Sequence, residues 1–141
     1  MRIAFGTDEV TPLTQGLVAS LVAAGHQVAD VGEVATPEWP EVGRLVGTAV
    51  ADGRAEVGIV CCFTGTGVSM AANKVPGVRA ALCIDAATAT GARRWNDANV
   101  LALSLRLASP TVADEVVGAF LSTTPDPDER AAIDRVEGPG R

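Results

Sequence analysis

One histidine and three cysteines are the only imidazole and thiol ligands in these 141 residues, and no two cysteines stand at Cys-x-x-Cys spacing. That leaves no credible zinc site. Cys61 and Cys62 are adjacent, which makes a poor disulfide set, so reduced thiols in a cytosolic protein are expected. Charged residues are few, 20% against 48% hydrophobic, the balance of a globular chain with a large buried fraction. The length fits one domain, 1–141, with a sizeable core. No apolar run reaches the roughly 18 residues that a membrane span needs, and no basic, apolar, small-residue leader opens the chain. A soluble, cytoplasmic protein with no membrane partner is expected. Positive charge is also short: 11 Lys and Arg face 17 Asp and Glu, a net charge of −6. Without a basic field to replace counterions, nucleic acid is excluded as a partner. An anionic substrate would need a local basic cluster.

What the chain does have is concentrated between Gly58 and Cys83. Val57 to Cys62 is an apolar, β-rich run suited to a buried parallel strand. It stops at Phe63-Thr64-Gly65-Thr66-Gly67, where two glycines let backbone N–H groups approach a ligand and the following helix N-terminus favours an anion. A short helix over Ser69 to Lys74 is expected next, ended by Pro76-Gly77, then a strand over Val78 to Cys83. A thiol thus stands at the carboxyl end of a strand beside an anion-ready turn, the end where open α/β sheets place their ligands. Gly65-x-Gly67 is not followed by a third glycine, so the dinucleotide fingerprint is unsupported.

The rest of the chain alternates in the same way. Strands are expected at Arg2 to Gly6, Gln27 to Val31 and Val100 to Ser104. Thr11-Pro12 and Ser109-Pro110 read as helix starts, with a capping hydroxyl and then proline in the first turn. Asp85 reads as the cap of a helix through Trp95. Leu13, Leu17, Val18 and Leu21, and then Val42, Leu45, Val46, Ala49 and Val50, keep helical spacing. Thr36 to Pro40 is expected as a loop, and the tail as a short helix over Asp128 to Arg135 before a frayed end. This order predicts an α/β fold, a three-layer α/β/α sandwich with a five-stranded parallel sheet. No internal repeat or linker interrupts it.

The run Cys62-x-Thr64-Gly65-x-Gly67-x-Ser69-x-Ala71-Ala72-Asn73-Lys74-Val75-Pro76-Gly77-Val78-Arg79-Ala80, with Asn96-Asp97-Ala98-Asn99-Val100-Leu101-Ala102 later, resembles the ribose-5-phosphate isomerase B family, which includes the galactose-6-phosphate isomerase subunits. The resemblance extends from Arg2 to about Val136. It implies a homodimer with shared active sites, a small sugar or sugar-phosphate substrate, and no metal or cofactor. It also implies aldose–ketose isomerisation through a cis-enediol. By that resemblance Cys62 is the base that takes the proton next to the carbonyl. Thr64 acts with it, and Phe63, Gly65, Thr66, Gly67 and Ser69 line the oxyanion turn. A buried core cysteine and a plain strand–helix turn fit the same residues. Cys61, on the opposite face of the strand, and Cys83 read as core.

Departures from the family pattern lie at the sugar and phosphate contacts. Asp8 matches an aspartate that holds sugar hydroxyls. Glu9 stands where the family usually carries a phosphate-binding histidine, and Phe63 where it usually carries glycine. Trp95, before Asn96, replaces the ring-opening histidine, and indole has no proton to exchange near neutral pH. Arg106 matches an arginine after the fifth strand. Arg130 and Arg135 lie near two arginines that reach phosphate across a dimer interface, but at a spacing of five rather than four, which separates them on a helix. Solvated surface charge is the alternative for each. Trp39-Pro40 resembles an aromatic–proline segment that walls the pocket, and His26 reads as a surface residue. Two further function classes stay open: an isomerase of an open-chain or differently charged sugar, and a non-catalytic subunit that binds a sugar or pairs with a second chain.

Overall fold

The structure, a computed structural model, describes residues 1–31 and 38–137. Five strands, β1 (Arg2–Thr7), β2 (Gln27–Asp30), β3 (Val57–Cys62), β4 (Ala80–Leu82) and β5 (Val100–Ser104), form one sheet in the order β2-β1-β3-β5-β4. Every pairing is parallel. The helices are α1 (Pro12–Ala23), α2 (Trp39–Ala51), α3 (Thr66–Asn73), α4 (Ala86–Asn96), α5 (Pro110–Ser122) and α6 (Arg130–Glu137), with a 3₁₀ turn over Pro127–Glu129. The expected three-layer α/β/α sandwich is what the chain forms.

Strand alternation sorts the core into two layers. Ile3, Phe5, Ile59, Cys61, Leu101 and Leu103 pack with Leu17, Leu21, Ala89, Val116 and Phe120, from α1, α4 and α5. Ala4, Val60, Cys62, Val100 and Ala102 pack with Val42, Val46, Ala49, Val68 and Ala72, from α2 and α3. Burying each large apolar side chain contributes about 1.5–3 kcal/mol, and all six residues of β3 are buried. The adjacent cysteines therefore face opposite layers, as the period-two geometry of a strand requires.

Helix starts follow local chemistry. Thr11 accepts from Thr14 N, Asp85 from Thr88 N at 2.7 Å and Ser109 from Val112 N at 3.2 Å. Each such cap contributes about 1 kcal/mol. Several boundaries differ from the sequence expectation. Helix α3 begins at Thr66 instead of Ser69, because Gly65 in the left-handed region caps it with no side-chain hydrogen bond. Trp39 and Pro40 belong to α2 rather than to a loop, with proline in its first turn behind an uncapped Glu38; Thr36 and Pro37 lie outside the described residues. Strand β4 is shorter than Val78 to Cys83 because only Ala80 to Leu82 pair with β5. The tail helix is also shifted, with the 3₁₀ turn taking up its expected start.

A parallel sheet has two unlike ends. Thr7, Cys62, Leu82 and Ser104 close the strands at the carboxyl end, where the helices start. The helices return the chain to the amino end, about 16 Å away along the five steps of β3.

Candidate active site

At the carboxyl end the central strand delivers Cys62 into a tight turn. The Gly65 N–H donates to Cys62 Sγ at 3.2 Å. Gly65 has φ +76°, and a Cβ there would stand 2.5 Å from Leu82 Cδ1 and 2.9 Å from the Leu103 carbonyl carbon. Only glycine fits that backbone and that space. Gly65→Ala is therefore expected to lose about 2–4 kcal/mol of stability, from left-handed strain plus overpacking. Chemical denaturation checks this, and an unchanged midpoint would contradict it.

Helix α3 starts immediately after the turn. Its first intrahelical bond runs from Ser69 N to Gly65 O at 3.3 Å, so the N–H groups of Thr66, Gly67 and Val68 have no intrahelical acceptor. They form the anion-ready end that the glycines suggested, and Val68 adds a donor that the sequence reading did not single out. Ser69, by contrast, spends its N–H on the helix and its hydroxyl on the Ala80 carbonyl at 3.5 Å. Thr64 and Thr66 share a hydroxyl hydrogen bond of 2.7 Å. The Trp39 ring lies on Gly67, 2.9 Å from where a Cβ would be, and so walls the turn.

The turn is tied to the neighbouring strand. Leu105 N donates to Cys62 O, Arg106 N to Phe63 O, and Ser104 Oγ to Phe63 O, each at 3.0 Å. Ser104 is a positioning residue missed from the sequence; its one signal was a hydroxyl ending an apolar strand. Phe63 and Arg106 themselves face solvent.

Asp8 follows β1, the strand next to β3, and its N–H donates to Cys61 O at 3.4 Å. Its Oδ1 is buried and has no hydrogen-bond partner in the chain. Burial raises the Asp8 pKa above the ordinary carboxylate value, opposed by a backbone hydrogen bond and aided by nearby Glu9. Thr7 Oγ1 fixes the backbone here, donating to Glu9 O at 2.8 Å and accepting from Glu9 N at 3.3 Å. The Glu9 side chain is exposed. The three thiols differ in setting. Full burial drives the Cys61 pKa far above the usual thiol range, and burial with Asp85 nearby pushes Cys83 up to about 11.

The remaining predicted residues lie at the other end. Trp95 and Asn96 close α4 and precede β5, so they stand at the amino end. Trp95 lies against Gly91 of its own helix with 56% of its surface exposed. Arg130 bonds Asp134 and lies 3.7 Å from Asp97. Arg130 and Arg135 are five helical steps apart, about 140° around the axis. The structure therefore brings together Asp8, Glu9, Cys62 to Gly67 and Arg106. Within one chain it does not bring Trp95, Asn96, Arg130 or Arg135 to them. Nor does it bring His26, which lies beside the Met1 amino group at 3.3 Å.

A strand-end thiol that accepts a backbone N–H, an orphaned carboxylate oxygen on the next strand and a fan of open N–H groups are suited to moving a proton on a small oxygen-rich molecule, which places the chain among α/β isomerase-type enzymes. Residues 3–137 match the Ribose/Galactose Isomerase family model. Ribose-5-phosphate isomerase B of Escherichia coli is 40% identical over 85% of this chain and 83% of its own length. D-erythrulose-4-phosphate isomerase of Pectobacterium atrosepticum is 38% identical over 86% and 82%. The solved ribose-5-phosphate isomerase B of Clostridium thermocellum superposes with a TM-score of 0.92 at 33% identity, covering 97% and 95%. The chain belongs to the Ribose/Galactose Isomerase family, and by class it is an aldose–ketose isomerase. No helix among the described residues is long and apolar enough to cross a membrane.

Proposed function

We propose that the protein interconverts an aldose and a ketose form of a small sugar phosphate, with Cys62 as the base. The observation that carries this reading is the Cys62–Gly65 contact at the mouth of the turn, with the α3 N–H groups directly behind it. Cys62 Sγ takes the proton from the carbon next to the carbonyl. The electron pair moves onto the carbonyl oxygen, giving a cis-enediolate, and the N–H groups of Thr66, Gly67 and Val68 face that charge. The hydroxyl proton passes to the other oxygen, and Cys62 returns its proton to the neighbouring carbon. Thr64 completes the turn, and the unpartnered Asp8 Oδ1 accepts from a sugar hydroxyl. The residues of the turn, strands and helix ends need no metal or cofactor for these steps. Cys62→Ala is the direct test, and it should lower kcat by at least about 10²–10⁴-fold without unfolding the protein.

The same reading includes a homodimer with shared sites. Trp95, Asn96, Arg130 and Arg135 cannot reach Cys62 of their own chain across the sheet, so a second copy must supply them. The free flank of edge strand β4 suits the contact: Ala80 to Leu82 are half-buried, and Met70 and Ile84 beside it are largely exposed. Light scattering at micromolar concentration should give twice the 14.4 kDa chain mass. A monomer that turns over substrate would remove the shared site.

A second reading concerns the substrate, and one observation favours it. The chain's sole histidine precedes β2, at the amino end and on the sheet edge opposite the β4 flank where two copies would meet, so no imidazole from either copy serves ring opening. We infer a substrate that arrives open-chain, in keeping with the four-carbon sugar phosphate in one relative's name. The site fits an enzyme better than a non-catalytic subunit, because the buried Cys62 sulfur accepts the Gly65 N–H at the start of α3 rather than meeting apolar groups alone.

A further inference from the structure

We propose that Asp97 is a positioning residue for the active site of the neighbouring subunit. The proposal rests on the shared-site reading above and names the group that makes the shared half rigid.

Asp97 follows Trp95 and Asn96 and ends α4 with φ 46°, the one non-glycine residue with positive φ among those described. Aspartate and asparagine tolerate that conformation better than other side chains, which fits the position but does not explain the charge. Three arginines explain it. Arg79 Nη2 donates to Asp97 Oδ2 at 3.0 Å, and Arg79 Nε to the Asp97 carbonyl at 2.8 Å. Arg93 Nη1 donates to Oδ1 at 3.3 Å, and Arg130 Nη1 lies 3.7 Å from Oδ2. The Asp97, Arg79 and Arg93 side chains are only 16–19% exposed.

Each arginine ties down a different piece of chain. Arg79 precedes β4 and also donates to Glu137 at the end of α6, at 2.7 Å. Arg93 reaches the Thr123 carbonyl at the start of the tail, at 3.4 Å, and its guanidinium carbon lies 5.3 Å from the centre of the Phe120 ring. Arg130 opens α6. Asp126 N closes the arrangement on the Arg94 carbonyl at 2.8 Å. Asp97 is thus the shared acceptor that joins the end of α4, which carries Trp95 and Asn96, to α6, which carries Arg130 and Arg135. All four residues that the partner's site lacks ride on this block. None of its ion pairs involves Cys62 or its turn, so Asp97 acts on chemistry only through the placement of the block. A part-buried carboxylate that balances two part-buried guanidiniums holds one geometry, since removing it leaves those charges uncompensated, while the largely exposed Arg130 adds a weaker tie.

Mixed dimers test this. Asp97→Asn keeps the backbone conformation and removes the charge. Asp97→Asn homodimers should fold and lose about 10²-fold in kcat/KM, the scale of a 1 Å misplacement of substrate-holding groups. The assay uses ribose 5-phosphate and D-erythrulose 4-phosphate, whichever the native protein turns over faster. Co-expression with a differently tagged Cys62→Ala chain, and purification through both tags, gives dimers with one doubly altered site and one site in which both halves are native. These should recover about half the native dimer's activity. A defect confined to the chain's own folding, or to its own Cys62, leaves the mixed dimer inactive. Arg79→Lys, which keeps the charge but not the fork that joins Asp97 to Glu137, should give a smaller loss that is rescued in the same way, and it serves if Asp97→Asn does not fold. Native-like activity of Asp97→Asn homodimers, or mixed dimers without rescue, would overturn the proposal. If Cys62→Ala homodimers remain active, the thiol assignment fails instead, and Asp8→Asn takes its place in the mixed dimers.

Discussion

Cys62→Ala should lower kcat by at least 10²–10⁴-fold, the usual worth of a positioned acid–base group, while the melting transition stays close to that of the native protein. The side chain is small, and its loss removes a sulfur from the edge of the α2–α3 layer rather than from its centre. The loss should fall in kcat more than in KM, because the thiol meets the reacting carbon and not the distant parts of the substrate. Iodoacetamide gives a second reading of the same group. Cys62 has a solvent-facing turn after it and an N–H donor on its sulfur. Cys61 is fully buried, and burial raises the pKa of both Cys61 and Cys83, so both stay as thiols near neutral pH. Alkylation should therefore begin at Cys62 and remove activity in proportion, and substrate should slow it. Cys83→Ala should leave turnover unchanged. Full turnover by Cys62→Ala would shift proton abstraction to another group at the strand ends, with Asp8 the nearest candidate.

The strands were legible because each is apolar, short and bounded by turn chemistry, and their alternation with helices set the parallel topology. The period of a strand alone put the adjacent cysteines on opposite core layers. Boundaries without a side-chain signal were not legible. Gly65 caps α3 through its backbone conformation, so Thr66 and Gly67 read as loop, although the helix had already begun. Trp39 and Pro40 follow Glu38, which makes no side-chain cap, and the helix start there was hidden for the same reason. The separation of the candidate residues between two ends of the sheet was carried by topology rather than by motif. A helix that starts at the carboxyl end must finish at the amino end, so Trp95 and Asn96, which close α4, belong with α6 and not with Cys62. The Asp97 network escaped notice because its members, Arg79, Arg93, Arg130 and Glu137, span 59 positions of chain and no local pattern joins them.

Ribose 5-phosphate should be a poor substrate. In solution it is mostly a closed furanose, and isomerisation needs the open aldehyde, so an enzyme acting on it gains from a group that moves a proton on the ring oxygen. Trp95 cannot do this, and His26, the chain's one imidazole, lies beside the Met1 amino group before β2, on the sheet edge opposite β4 and the α4–α6 block. The missing acid–base group costs about 10²–10⁴-fold in rate. Charge adds to the penalty. Glu9 stands at the exposed end of β1 near the turn, and a carboxylate about 4 Å from a phosphate charge repels it by about 4 kcal/mol at a surface-like dielectric. Arg106, after β5, is the cation on the same side, and Arg44 is engaged with Glu41. A four-carbon ketose whose terminal oxygen carries the phosphate has no hydroxyl at ring-forming distance, so it escapes the first penalty. An unphosphorylated sugar escapes the second. Steady-state kinetics on ribose 5-phosphate, D-erythrulose 4-phosphate and unphosphorylated erythrulose separate the two effects. The four-carbon phosphate should lead in kcat. A kcat/KM for ribose 5-phosphate of about 10⁴ M⁻¹s⁻¹ or more would sink the argument. Trp95→His should raise kcat on ribose 5-phosphate and leave the four-carbon rate nearly unchanged, because only a closed ring needs the added imidazole. Glu9→His should instead lower KM for both phosphorylated substrates, because it acts on the anion and not on the ring.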